Sequence, residues 1–317
     1  MKRKLIAICL LFSTFNVLSN GQITEAEKKL RTVNADSIMG WKTGGVFTAT
    51  IAQTSLTNWA AGGQNSLSLN GLFSGFANYK QGKSVWDNSL DIGYGFLKQG
   101  KDEPSRKTDD KIDILSKYGR EAFKNFYYAA LFNFKTQMTP GYNYPDVTNK
   151  ISDLFAPAYL TLALGLDYKP NPYFSAFISP LTAKFTFVKD QQLSDLGAFG
   201  VKPGETSRSE IGAYLRAIYT KADFKSEFLK NVSFTTKIDL FSNYTDKPQN
   251  VDVNWEVLLA MKVNKYLTVN FNTLLIYDDN IQVPYDKNND GTIETGESIR
   301  SLVQFKEILG AGLSLKF

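Results

Sequence analysis

The chain contains no histidine, and its only cysteine is Cys9. Without an imidazole there is no His-based general base, no Ser-His-Asp or Cys-His arrangement and no His-ligated zinc. Cys9 lies in an apolar run near the N-terminus that is expected to be cut away. Neither thiol catalysis, a disulfide nor a lipidated cysteine is therefore expected in the mature protein. An excess of one charge is also lacking. Lys and Arg number 36 against 31 Asp and Glu, a formal charge of +5, which is too balanced to point to a nucleic-acid partner. Long apolar runs are missing as well: no stretch reaches the roughly 18 consecutive apolar residues of a membrane helix. What remains is a soluble domain or a chain that crosses a membrane with strands.

The first residues favour export. Met1-Lys2-Arg3-Lys4, an apolar run from Leu5 to Leu18 and the small residues Ser19 and Gly21 before Gln22 have the form of a secretory signal peptide, residues 1–21. Its loss leaves 33 basic against 31 acidic residues. Residues 22–44 read as a short periplasmic segment, with Thr24 to Val33 either a charged helix or an irregular lead. No Pro- or Ser-rich linker divides the rest of the chain, so 45–317 reads as one domain.

From residue 45 the dominant signal is alternation of apolar and polar residues. Trp86, Leu90, Ile92, Tyr94 and Phe96 share one face, opposed by Asp87, Ser89, Asp91, Gly93 and Gly95. Leu160, Leu162, Leu164 and Leu166 oppose Thr161, Ala163, Gly165 and Asp167. Val251, Val253, Trp255, Val257 and Leu259 oppose Asp252, Asn254, Glu256 and Lys262. The pattern predicts twelve strands: 45–57, 66–80, 85–98, 109–121, 126–139, 157–168, 173–188, 209–221, 231–245, 251–263, 266–279 and 301–317. Most exceed the usual 5 to 6 residues of a soluble strand, and each can cross a bilayer at a tilt, which takes about 9 to 11.

Short turns, such as Gln81 to Ser84 and Lys169-Pro170-Asn171-Pro172, alternate with long loops at 99–108, 140–156, 189–208 and 280–300. In bacterial barrels the turns face the periplasm and the loops face outward. The expected fold is therefore all-β: a single transmembrane antiparallel up-and-down β-barrel of twelve strands in the cell outer membrane, surrounded by lipid bilayer. Tyr79, Trp86, Phe96, Tyr127, Tyr168, Tyr173, Trp255, Tyr266 and Tyr277 suit interfacial girdles. Two places fit poorly. Pro180 falls inside the seventh strand and predicts a bulge, and the eighth strand alternates weakly. The last strand ends on Phe317 and resembles the signal that outer-membrane assembly machinery reads on its substrates.

Two groups of residues could carry chemistry. The segment Asp286 to Glu297 has the spacing of a calcium loop, with oxygen ligands from Asp286, Asn288, Asp290, the Thr292 carbonyl and Glu297, and Gly291 for the sharp turn. Strands flank it, so the expectation is one calcium ion stiffening an external loop, the alternative being a solvated acidic loop. On the inward face fall Asp87, Asp91, Asp113, Asp239 and Glu256, together with Lys111, Lys117, Lys135, Lys184, Lys237 and Lys262. Mixed inward charge predicts pairing across a narrow or closed lumen more readily than carboxylate catalysis.

The segment Gln53-Thr54-Ser55-Leu56-Thr57-Asn58-Trp59-Ala60-Ala61-Gly62-Gly63-Gln64-Asn65-Ser66-Leu67, then Trp86-Asp87-Asn88 and Gln304-Phe305-Lys306-Glu307-Ile308-Leu309-Gly310, resembles an uncharacterised Bacteroidota family of outer-membrane proteins with a domain of unknown function. The resemblance implies a barrel and an outer-membrane location, and no catalytic residues. Physically, Gly62-Gly63 suits a tight loop top with Asn58 and Trp59 packed beneath. The functional expectation is a non-catalytic barrel acting as a scaffold or subunit with other envelope proteins, the alternative being a narrow small-solute channel, and a carboxylate-dependent enzyme the least favoured.

Overall fold

The computed structural model describes residues 39–57, 63–144, 146–222, 224–264, 267–284 and 299–316. Twelve long strands carry the fold: β1 (Gly40–Thr54), β2 (Ser66–Gln81), β3 (Ser84–Gln99), β4 (Arg106–Phe123), β5 (Phe126–Thr136), β6 (Ala158–Asn171), β7 (Phe174–Phe187), β8 (Ser207–Lys221), β9 (Val232–Asn243), β10 (Val251–Lys262), β11 (Leu267–Tyr277) and β12 (Gln304–Lys316). Each pairs antiparallel with its neighbours in sequence, and β12 returns to β1 through Val46↔Lys316 and Ala49↔Leu313, closing the barrel. Closure leaves no unpaired strand edge, which is what a sheet in hydrocarbon requires.

The two faces are chemically opposite. Outward positions are apolar and exposed, including Phe47, Ile51, Tyr128, Leu164, Ile178 and Leu313. Inward positions are polar and buried, including Thr48, Asn70, Asp167, Arg216, Thr235 and Glu256. A soluble barrel has the reverse lining, so this wall faces lipid. Two outward indoles satisfy their N–H groups within the wall, Trp86 Nε1 to Ser116 Oγ at 2.8 Å and Trp255 Nε1 to Thr236 Oγ1 at 2.9 Å. Around the end where β1 begins and β12 finishes, Trp41 lies 5.1 Å from Tyr79 and 5.8 Å from Trp86, and Phe126 lies 4.6 Å from Phe123 and 4.5 Å from Tyr168. These rings form an interfacial belt.

The proline expectation holds. Opposite β8 the register passes from Gly212↔Thr182 to Tyr214↔Ser179, and opposite β6 from Leu164↔Leu181 to Leu166↔Ile178, which leaves Pro180 in a bulge. Ser179 Oγ lies 2.8 Å from the carbonyls of Leu164 and Leu181 and occupies the site where the ladder is broken. Gly165 is required beside it, because a Cβ there would strike the Ile178 carbonyl. The eighth strand, by contrast, is regular: Glu210, Gly212, Tyr214, Arg216 and Thr220 all point inward and are buried. Its weak pattern comes from Tyr214, an inward aromatic whose hydroxyl donates to Asp239 Oδ1 at 2.6 Å. Tyr127 also points inward, beneath Lys169 at 5.5 Å, and does not belong to the belt. The first strand begins at Gly40, earlier than the alternation suggests, and Ile299–Ser301 pairs with Gln282–Pro284 in a separate ladder instead of extending β12.

Candidate functional site: the lumen and its extracellular cap

Side chains cross the interior at three heights. Near the short turns, Lys169 Nζ on β6 reaches Asp87 Oδ2 on β3 at 2.8 Å and Asp167 at 3.3 Å; Asp167 also receives Lys117 at 2.6 Å and Ser175 Oγ at 2.9 Å. Midway, Leu72 of β2 packs on Leu258 of β10, both almost fully buried. Towards the long loops, Lys184 on β7 contacts Asp252 at 2.7 Å on β10, Asp278 at 3.2 Å beyond β11 and Glu210 at 3.7 Å on β8. Four of these contacts, Lys169 to Asp87, Leu72 to Leu258 and Lys184 to Asp252 and Asp278, are chords between strands three or more positions apart, so the lumen is crossed by its own lining.

Further inward charges are paired along the wall. Arg216 meets Asp239 at 3.3 Å, Lys237 meets Glu256 at 2.9 Å, and Asp113 holds Lys135 at 3.7 Å and the Asn133 amide at 2.6 Å. Asp91 accepts from the Ser74 hydroxyl. Burial makes each pair necessary, since an ion without a partner in this setting costs several kcal/mol. Among the expected inward lysines two differ: Lys262 is exposed at the end of β10, and Lys111, inward on β4, makes no ion pair among the described residues. An apolar cluster of Leu131, Ala163, Phe177, Tyr214 and Phe241 also lies inside. Sequence reasoning missed it because these residues sit on the inward face among charged neighbours; the only signal was a large apolar side chain out of phase with its strand.

The other arc of the wall, from β11 through β12 and β1 to β2, is lean apart from the buried Leu72 and Phe76 of β2 and Lys306 of β12, which reaches Asp109 on β4 at 3.9 Å. It presents Thr48, Thr50, Ser68, Asn70 and Asn270, all buried, with Gly310 and Gly312 between them. The Thr48 hydroxyl and both amide atoms of Asn270 make no hydrogen bond among the described residues.

Over the mouth the loops 137–157 and 188–206 form a cap. It holds a short helix, α1 (Gln191–Asp195), started by the Asp190 carboxylate accepting from Leu193 N at 3.0 Å, and its own apolar centre of Ala156, Val188, Leu193 and Val201. Asp110 anchors it, accepting from the Met138 and Thr139 amides at 2.8 Å, and Lys107 reaches Gln137 and the Thr139 carbonyl at 2.8 Å. Gly200, at φ 78°, lies against Asn280 of the loop after β11, where any side chain would collide with the Asn280 backbone. The cap thus reaches across to the far side of the mouth. Its charges are set locally. Hydrogen bonds from Thr148 and Asn149 hold the Asp146 carboxyl down to about 2, Lys150 lowers Asp190, and Asp153 followed by Asp190 raises Lys150.

Asp286, Asn288, Asp290, Thr292 and Glu297 lie outside the described residues, as do the leader and Asn58 to Gly62. The Gln282–Pro284 and Ile299–Ser301 ladder brackets the calcium-loop segment, and Gly63 has the positive φ, 116°, that the loop-top reading requires. Among the described residues no group of His, Cys, Asp and Glu has a metal-site arrangement.

Fold and lining together define the class: a closed twelve-stranded antiparallel barrel of the outer-membrane type, in a lipid bilayer. A family model described as "Protein of unknown function (DUF3078)" matches residues 51–142, from within β1 to the loop after β5. No curated protein matches the chain. Among solved structures it is similar to an outer membrane channel from Pseudomonas putida F1, with 10% identity, 89% of this chain and 97% of that chain covered, and a TM-score of 0.40. It is also similar to the translocator domain of the autotransporter NalP from Neisseria meningitidis, with 8% identity, 92% and 94% covered, and a TM-score of 0.36.

Proposed function

We propose that this protein is a non-catalytic outer-membrane barrel, delivered by a cleaved leader, whose extracellular cap is a docking surface for another envelope protein. The observation that carries the reading is the crossed, charge-paired interior beneath an ordered cap. The inward carboxylates that could catalyse are engaged by lysine, arginine, serine or asparagine, while the cap exposes Leu196 (71%) and Val147 (45%) on loops held in place by their own core. Exposed apolar side chains on a rigid surface suit a protein partner. Purification from native membranes after crosslinking tests this: a specific companion lost with Leu196→Asp supports it, and recovery as a lone monomer overturns it.

A narrow small-solute channel is the second reading. The lean arc favours it, because glycines and short polar side chains are what a thin path needs. Planar-bilayer recordings without conductance would remove it.

Calcium in the Asp286 to Glu297 loop belongs to the same proposal, as a stiffener of the outer rim. Calorimetry should show binding that Glu297→Ala abolishes; equal affinity in wild type and variant would end the idea.

A further inference from the structure

A groove of about 640 Å³ opens on the lipid-facing wall across β4 to β8. Its floor is Ala130 and Ala183; Tyr118, Phe132, Leu164 and Leu181 stand around them. It follows two adjacent hydrogen-bonded rows, Tyr118↔Ala130↔Leu164↔Leu181 and Ser116↔Phe132↔Leu162↔Ala183, and the Pro180 bulge forms one edge. In the first row Ala130 lies between Tyr118 and Leu164, and in the second Ala183 lies between Leu162 and Ile211 of β8, so the wall is indented at both alanines.

Above the groove the chemistry changes in the order of a lipid molecule. The outward file of β7 runs Leu181, Ala183, Phe185, Phe187, and the next position in that alternation is the exposed Lys189. Phe185 and Phe187 stack at 6.4 Å, and Phe155 of the cap lies 6.3 Å from Phe134, an outward residue of β5. The Lys189 amide donates to the Phe155 carbonyl at 3.0 Å, which ties the cation to this aromatic shelf. Lys189 has no ion pair among the described residues, whereas nearby Lys150 contacts Asp153 and Asp190. A lysine above aromatic rings above an apolar slot matches a headgroup, an interface and an acyl chain.

We propose that this wall binds one membrane lipid bearing an anionic phosphate headgroup, with the phosphate at Lys189 and an acyl chain in the groove. Two observations select this occupant: the groove is continuous with the lipid-facing band, and the free charge at its upper end is positive. The site uses Phe155 and Lys189 of the cap but neither Leu196 nor Val147, and it does not rest on the docking role proposed for those two.

The test is native mass spectrometry of the full barrel released from vesicles of equal phosphatidylglycerol and phosphatidylcholine. Wild type should retain one phosphatidylglycerol in preference to phosphatidylcholine. Lys189→Ala, an exposed change that leaves the fold intact, should cut that preference about five-fold, the effect of one surface cation near anionic lipid, and Lys189→Arg should preserve it. Ala130→Leu with Ala183→Leu should fill the groove and abolish retention of both lipids. Equal retention of the two lipids by wild type, an unchanged preference in Lys189→Ala, or a protein chain crosslinked over the groove in place of lipid would overturn the proposal.

Discussion

The two arcs of the lumen wall solve the same problem in opposite ways. From β3 to β10 the wall carries long charged side chains, and burial forces them into pairs: Lys117 and Lys169 on Asp167, Arg216 on Asp239, Lys237 on Glu256. From β11 to β2 it carries Thr48, Thr50, Ser68, Asn70 and Asn270, together with Gly310 and Gly312. An eight-stranded barrel is filled by ordinary side chains and a barrel of sixteen keeps an open channel. Twelve strands leave an intermediate width, and here the long residues of one arc fill the space that the short residues of the other leave. Stability should therefore concentrate in the charged arc, and any passage should run along the lean one.

The largest effect is expected at Asp167. Asp167→Ala leaves Lys117 and Lys169 without that shared partner and should cost about 3–5 kcal/mol, read as a lower urea midpoint for unfolding from lipid vesicles. A loss below about 1 kcal/mol would mean that water reaches these lysines and that the charged arc is not sealed.

The Leu72 and Leu258 contact joins the two arcs. Leu258→Ala should cost about 2–4 kcal/mol, and the double change with Leu72→Ala should introduce conductance in planar bilayers if the lean arc is the path. A double variant as silent as wild type would show that the ion-paired chords alone close the barrel.

The cap should respond to acid. Asp146 and Asp190 have carboxyls held below the ordinary 3.8, so their contribution is present above that value and disappears as pH falls through the folded one, about 2 for Asp146. Lys150 is raised above 10.5, so its contribution is complete below 10.5 and is lost only on further rise. Hydrogen-exchange protection of the cap, corrected for intrinsic rates, should thus be flat from about pH 5 to 9 and fall below about pH 4. A cap that loosens at pH 6 would contradict this arrangement.

The smallest effect is expected in the lean arc. The Thr48 hydroxyl is buried without a partner among the described residues, so Thr48→Val should change stability by no more than about 0.5 kcal/mol or raise it slightly. A loss of about 1 kcal/mol or more would show that solvent or solute occupies the space beside it.

Much of the barrel is readable from period-2 alternation, because a wall with lipid on one side and a polar lumen on the other enforces strict two-faced strands. The failures have a common cause. Tyr127 and Tyr214 are aromatic, and residue type alone points them to the lipid side or to a broken pattern, whereas the filled lumen provides them with Lys169 and Asp239. Leu131, Phe177 and Phe241 escape sequence reasoning for the same reason. For the candidate site, the sequence identifies inward charge and predicts pairing. It cannot say which lysine meets which carboxylate, because partners such as Asp87 and Lys169 are separated by two intervening strands and joined only by closure. Nor does it foresee the cap, whose apolar centre draws on two loops distant in the chain.

The amino-acid sequence by itself determined the strand number, the inside and outside of nearly every regular strand and the end that bears the loops, since these come from side-chain period and local turn length. Tertiary structure alone decided which side chains cross the lumen, that one arc is lean and that an indented wall lies beneath Lys189. Each depends on the curvature and stagger with which the sheet closes, and those are properties of the whole ring that no single strand encodes.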